Sequence, residues 1–387
     1  MAGGIWKIQN KIRPGFYHKF THAPKERRFF GDVDIAALPL ELDWGPVGEL
    51  LRVDTDSTTE EFNAKFGRGK YDILPVRECL KRAQTLLAWC VNSDGMKASL
   101  AMTPQPVKAT AKHGGIRGND IQVQIVEDLD NQGYYTITTY VDALTVAEVQ
   151  GIQYAEEIES NEWVDFSGSG AITAAAGGSL TGGTNGVPTA DDYNKFLLEL
   201  EQTEFNCFGL PVNDVQLKPM FAAACRRMND ELGLMVQCAI PDYAQAGYEA
   251  IFSPKNGVTL IDGTVLNEYA IIPWLVGAAS AAYPSSRADK FRISLTYSAY
   301  EDAVGPDRVL KDAEIKQATK SGLICFIGIK DANQNDIAVI ERDISTLTRF
   351  TEGRGRDWSK NRIVREAYQA VRTMDRTFHL YYNGQVL

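Results

Sequence analysis

Four histidines are all that this 387-residue chain offers for proton transfer near neutral pH. His18 and His22 stand four apart, a spacing that can put two imidazoles on one helix face for zinc. Pro14 and Pro24 bracket them in a segment without helical period, so no metal site is expected there. His113 falls in a glycine-rich turn, and His379 lies among aromatics near the end. No Gly-x-Ser-x-Gly elbow accompanies them, so nothing supports a Ser/His/Asp set. Gly67-Arg68-Gly69-Lys70 lacks the earlier glycine of a phosphate loop, and Tyr71 stands where a Ser or Thr would hold magnesium. Gly177–Gly183 has glycine enough to cradle an anion but no lysine, and a loop is expected. The pairs Asp191-Asp192 and Glu156-Glu157 read as helix N-termini and solvated faces. No catalytic residue, metal or cofactor is predicted.

Such a chain needs two or three domains, since its length exceeds what one compact core usually holds. At 44% hydrophobic and 23% charged residues it has the balance of a folded protein. The longest apolar run, Tyr269–Tyr283, is broken by Pro273 and falls short of the roughly 20 residues a bilayer span needs, so no membrane insertion is expected. Met1–Asn10 has no secretory apolar core. The six cysteines show no CxxC spacing, and Cys79, Cys90, Cys225 and Cys238 sit in apolar patterns. They read as reduced core thiols of a protein made in a cytosol rather than exported by signal peptide.

Charge is uneven. Residues 1–28 carry seven cations against Glu26 alone, and residues 349–387 carry eight against four anions. The remaining body holds 25 cations and 45 anions. Basic ends on an acidic body favour head-to-tail association with other copies. A basic arm for nucleic acid is the sharper alternative, but the acidic body would repel phosphates, so no direct nucleic-acid contact is expected. A solvated face with no partner is the remaining reading.

The elements follow from periodicity. Ile12–Phe20 looks extended, and an extended apolar terminus is stable only when it pairs with a sheet edge. Asp32–Arg52 is strand-like, Thr59–Phe66 helical, and Val76–Cys90 shows helical spacing at Cys79, Leu80, Ala83, Leu86, Leu87 and Cys90. Alternation at Ile121, Val123, Ile125 and again at Tyr135, Ile137, Thr139, Val141, about the turn Asp130–Gly133, predicts a hairpin. Gly177–Gly186 reads as a flexible connector closing an inserted domain. Thr189, with Asp192 three positions on, predicts a capped helix with the stripe Tyr193, Phe196, Leu197, Leu200. Strand Phe205–Leu210, helix Pro219–Leu232 and strand Leu234–Ile240 predict a parallel β–α–β unit. A helix over Ala270–Tyr283, strands Leu323–Ile329 and Ile337–Ile340, and a basic helix over Ser359–Thr373 complete the chain. The apolar stripe of that last helix is Ile363, Ala367, Ala370, Val371 and Met374.

Several segments, in order along nearly the whole chain, resemble the contractile tail sheath family of bacteriophages and phage-tail-like bacteriocins. Lys11-Ile12-Arg13-Pro14-Gly15-Phe16-Tyr17 resembles the family's Arg-Pro-Gly-x-Tyr start, and Asp32–Pro46 the strand and turn after it. Lys112–Ile121 is similar to the Gly-x-x-Gly-Asn-(Asp/Asn)-Ile approach to an inserted β-sandwich, and Leu180–Gly186 to its exit. Asp343–Thr348 is similar to the Asn-(Ser/Thr)-Leu-Thr segment ahead of a basic helix.

The resemblance implies a mixed α+β and α/β multidomain protein. Residues 1–28 would form an extended arm, and 29–106 the first part of the core. An inserted β-sandwich would span 107–186 and a central α/β domain of subtilisin-like path, without a working triad, 187–341. Residues 342–387 would begin a C-terminal sheath domain. The implied function is structural: stacked hexameric rings around a tail tube that contract to drive the tube through a cell envelope. Implied partners are neighbouring sheath subunits, the tube protein, and baseplate and terminator proteins. Ile12, Arg13, Phe16, Tyr17 and Phe20 would form the exchanged arm, and Lys360, Arg362, Arg365, Arg372 and Arg376 would contact the tube or a neighbour. Members of the family usually continue past the basic helix, so a short variant or a removed C-terminal arm is expected here. The sandwich lacks aromatic clusters for sugar and would be peripheral. The competing class is a hydrolase on the α/β domain, for which the histidine supply is the obstacle.

Overall fold

A computed structural model describes residues 3–5, 16–18, 34–102, 106–129, 131–284 and 293–382. A six-stranded sheet lies at the centre, in the order Ile251–Phe252, Gln237–Ala239, Cys207–Gly209, Ile35–Leu40, Thr85–Cys90, Leu50–Asp54. Its first five strands are parallel, and Leu50–Asp54 closes one edge antiparallel. Helices Leu74–Leu80 and Ile272–Ala281 cover one face; Ala190–Leu200, Leu217–Asp230 and the C-terminal helix Asn361–Tyr382 cover the other. Two helical layers on a parallel sheet explain why its inner strands are apolar apart from Thr85 and Gln237 at two strand starts.

Local chemistry sets several boundaries as expected. The Thr189 backbone N–H donates to Asp192 Oδ2 at 2.9 Å, and Thr189 Oγ1 accepts from the Asp192 N–H at 3.4 Å. This reciprocal cap starts the helix that buries Tyr193, Phe196, Leu197 and Leu200. Helix Thr59–Phe66 ends at Gly67, whose φ of +74° is the left-handed turn that glycine makes without strain. Leu217–Asp230 links the parallel strands Cys207–Gly209 and Gln237–Ala239.

Residues 76–90 are not one helix. The helix is Leu74–Leu80, and Thr85–Cys90 is a strand with every residue buried. Burial on both faces removes the polar alternation of a strand, and an apolar run then matches helical spacing equally well.

The inserted domain is a two-sheet sandwich around its own core, in which Ile121, Val123 and Ile137 of one sheet meet Val107, Ala109 and Val164 of the other. One sheet orders Leu144–Ile152, Tyr135–Val141, Ile121–Glu127, Ala175–Ser179; the other orders Val164–Gly168, Val107–Ala111, Ser99–Ala101. It therefore takes in Ser99–Ala101, ahead of residue 107. The expected hairpin is present, with Val123 opposite Thr139. The glycine tract is not a loose connector. Ala175–Ser179 is a strand, Thr181 bridges Ser99, and Thr184 bridges Met96. Gly177 has φ +76°, and a Cβ there would overlap the Val123 carbonyl oxygen. Its glycines permit tight backbone pairing.

A small sheet (Val258–Leu260, Val265–Leu266, Ala303–Pro306) and the antiparallel hairpin Phe326–Lys330/Asp336–Ile340 follow. At the start of the chain, Gly3–Ile5 and Phe16–His18 pair in parallel.

Candidate functional site

The C-terminal helix is set by one buried charge. Arg365 donates from Nη1 to Asp343 Oδ2 at 2.7 Å and to the Ile293 carbonyl at 2.9 Å, and from Nε to Gln237 Oε1 at 2.9 Å. Asp343 also accepts from Asn361 Nδ2 at 2.8 Å and from the Leu295 N–H at 2.9 Å. Arg365 is 0% exposed and Asp343 1%. Desolvating two charges is costly, but here the carboxylate and most of the guanidinium donors have partners, which is the condition under which a buried pair is tolerated.

This pair rotates the helix from its expected setting. Its core face carries Asn361, Val364, Arg365, Tyr368 and Val371. Of the expected stripe only Val371 is buried: Ile363, Ala367 and Ala370 are half-buried and Met374 is 56% exposed. Arg365, expected at a tube or neighbour contact, is turned into the core because Asp343 is there to receive it. Arg372 is half-buried and donates to the Phe205 carbonyl at 2.8 Å. Lys360, Arg362 and Arg376 remain outside. Lys360 meets Asp357 at 2.8 Å in an exposed pair that constrains its cation weakly, and the exposed Arg362 meets the largely buried Glu366 at 3.2 Å. The exposed residues of the helix thus include the cations Arg362 and Arg376 and the apolar Met374 and Phe378.

A second anchor involves residues the sequence did not single out. Arg354 reaches Glu249 Oε2 at 3.0 Å and Asp230 Oδ1 at 3.3 Å, and its guanidinium lies 5.4 Å from the centre of the Tyr248 ring. The Tyr248 hydroxyl donates to Asp230 Oδ1 at 3.0 Å. Burial pushes the Glu249 carboxyl up, and Arg354 opposes that shift. These partners come from three distant parts of the chain, so no local pattern signals them.

Of the expected arm, Phe16 and Tyr17 lie in the strand Phe16–His18 beside Gly3–Ile5, which in turn lies against the helix Leu217–Asp230. Ile12, Arg13 and Phe20 fall outside the described residues. His18 is in that strand, and His22 is outside the described residues. Among the described residues no group of His, Cys, Asp or Glu could hold a metal ion, and no helix is long and apolar enough to cross a membrane. All six cysteines are buried and unpaired, and burial pushes the thiols of Cys79, Cys207 and Cys238 well up.

The acidity of the body is shared between two parts. Residues 107–186 contain three cations and eleven anions, and the rest of 29–348 contains 22 cations and 34 anions. The sandwich is thus the more acidic part residue for residue, and the basic segment 349–387 lies outside it.

Comparison with known proteins assigns these parts. Residues 35–89 match the tail sheath protein Gp18 domain III N-terminal region, 93–185 the phage tail sheath protein beta-sandwich domain, and 186–346 the phage tail sheath protein central domain. Two Bacillus subtilis proteins, the phage-like element PBSX protein XkdK and the uncharacterised protein YqbK, are each 33% identical over 94% of this chain and 79% of their own length. A sheath tail protein from Desulfitobacterium hafniense superimposes with a TM-score of 0.82 at 32% identity, covering 95% of this chain and 84% of that one. One from Listeria innocua gives 0.76 at 30% identity, covering 88% and 75%. The chain belongs to the phage tail sheath protein family, whose members are structural components of the virion tail rather than enzymes.

Proposed function

We propose that this chain is the repeating subunit of a contractile sheath, stacked in hexameric rings around a tail tube and contracting to push that tube through a cell envelope. The carrying observation is that Lys360, just ahead of the C-terminal helix, and Arg362 and Arg376 on it are exposed, while residues 29–348 carry 25 cations against 45 anions. Opposite charges on different surfaces of one molecule attract copies in a heterologous sense, and a heterologous contact with a screw component builds a helical tube. Partners in this reading are neighbouring subunits, the tube protein, and the baseplate and terminator proteins at the two ends. The central α/β domain follows a subtilisin-like chain path, a reading supported by its parallel sheet with helices on both faces.

In the same reading the segment Ile12–Phe20, with Arg13, Phe16 and Tyr17, couples one subunit to the next. An extended strand takes affinity from backbone hydrogen bonds and register from alternate side chains. A tethered neighbour rebinds at an effective concentration on the order of millimolar, so copies stay joined while other contacts slide. Deleting residues 1–24 and measuring mass by light scattering tests the arm. Loss of assembly supports the reading; an unchanged oligomeric state rejects it.

A further inference from the structure

The inserted sandwich is joined to the core by two strands of chain, a geometry that by itself would leave a hinge. Three kinds of contact meet at this joint. Arg117 lies in the short turn Ile116–Asp120 at the base of the sandwich, with its side chain 4% exposed. Its Nε donates 2.7 Å to the carbonyl of Gly67 in the core, and its Nη1 donates 2.8 Å to Asp120 and 2.8 Å to Asp142 in the sandwich. Nη2 completes a two-pronged pair with Asp142. The Arg117 backbone N–H donates to the Asp43 carbonyl at 3.2 Å. One planar, always charged fork therefore spans both bodies, which a flexible ammonium cannot reproduce.

Around it the surfaces interlock. Trp44 precedes the sandwich in sequence yet packs in the sandwich core, 5.4 Å from the Trp163 ring and 5.2 Å edge-on from His113. Its Nε1 donates back to the Ala64 carbonyl at 2.9 Å. Gly115, at φ +134°, lies so close to Asp43 that a Cβ would overlap its carbonyl oxygen. Arg68 meets Asp43 at 2.6 Å on the same side of the joint.

We propose that Arg117 is a positioning residue that clasps the acidic sandwich to the core at a single angle, so that the two move as one body. The test is a pair of spin labels, at Glu159→Cys on the sandwich and Glu199→Cys on the helix Ala190–Leu200, both exposed positions; the native cysteines are buried. The expected distance distribution is one narrow peak. Arg117→Ala, and independently Asp142→Asn, should broaden it at least twofold while the helical circular dichroism stays unchanged, Arg117→Lys should not restore it, and Asp142→Glu should. A broad distribution in the otherwise unaltered protein overturns the proposal, as does a peak that stays narrow in both Arg117→Ala and Asp142→Asn. Should Arg117→Ala fail to fold, Asp142→Asn decides, because the Asp142 side chain is 60% exposed and bears little of the core.

Discussion

The Arg365 guanidinium and the Asp343 carboxylate meet at 2.7 Å where neither side chain reaches solvent, joining the C-terminal helix to the segment before it. Removing one partner leaves the other charge buried and unpaired, which costs about 3–5 kcal/mol. Urea unfolding of Arg365→Ala or Asp343→Ala should show a loss of that size. A loss below about 1 kcal/mol would mean that the helix is not anchored this way.

The outward cations should behave oppositely. Arg362→Glu with Arg376→Glu changes exposed side chains but loses the Arg362–Glu366 pair, so stability should fall by about 1 kcal/mol, well short of the loss at Arg365. Assembly, followed by light scattering, should slow markedly and lose part of its salt dependence, since rim charges act mainly on association rate. Unchanged assembly kinetics would remove this face from the interface.

Acid should weaken the sandwich joint through His113. Burial, with Lys97 and Lys112 nearby, holds its imidazole at about 4 against an ordinary 6.5, while Asp165 pulls the other way. The folded imidazole stays neutral as an unfolded one takes up a proton, so stability falls as pH drops from about 6.5 towards about 4. Between pH 7 and pH 5 this amounts to about 1–2 kcal/mol. Urea midpoints at the two pH values should differ accordingly, and His113→Gln should flatten the difference.

Gly177→Ala should be costly for a residue in a glycine-rich tract. The backbone there is at φ +76°, and the added methyl meets the Val123 carbonyl oxygen, which the strand pairing holds in place. A loss above about 1 kcal/mol is expected, against nearly none if the tract were a loose linker. Differential scanning calorimetry distinguishes the two.

Thr189→Ala removes the cap of the helix Ala190–Leu200 and should cost about 1 kcal/mol. Thermal unfolding with an unaltered native circular dichroism spectrum would establish it; no shift would mean that Asp192 alone supports the helix start.

Local rules made part of this fold readable. The Thr189–Asp192 cap, the Ile121–Val141 hairpin and the unit around Leu217–Asp230 follow from spacing between near neighbours. Thr85–Cys90 misleads because a strand buried on both faces has no alternation to display. Gly177–Gly186 misleads because glycine serves close backbone packing as readily as flexibility. Arg365 looks like an outward cation until Asp343 and Gln237 receive it, and the contacts of Arg117 to Gly67 and Asp142 join residues well apart in the chain, which no local spacing displays. Chemistry-bearing motifs spoke only against catalysis, and the resemblance of ordered segments carried the positive assignment.

Polymerisation is the central claim, and electron microscopy of the chain assembled with its tail tube protein tests it most directly. The account predicts regular, striated cylinders around the tube, in which Lys360, Arg362 and Arg376 face another protein and Arg365 stays inside its own subunit. Isolated single copies in every condition, with the tube left bare, would contradict it.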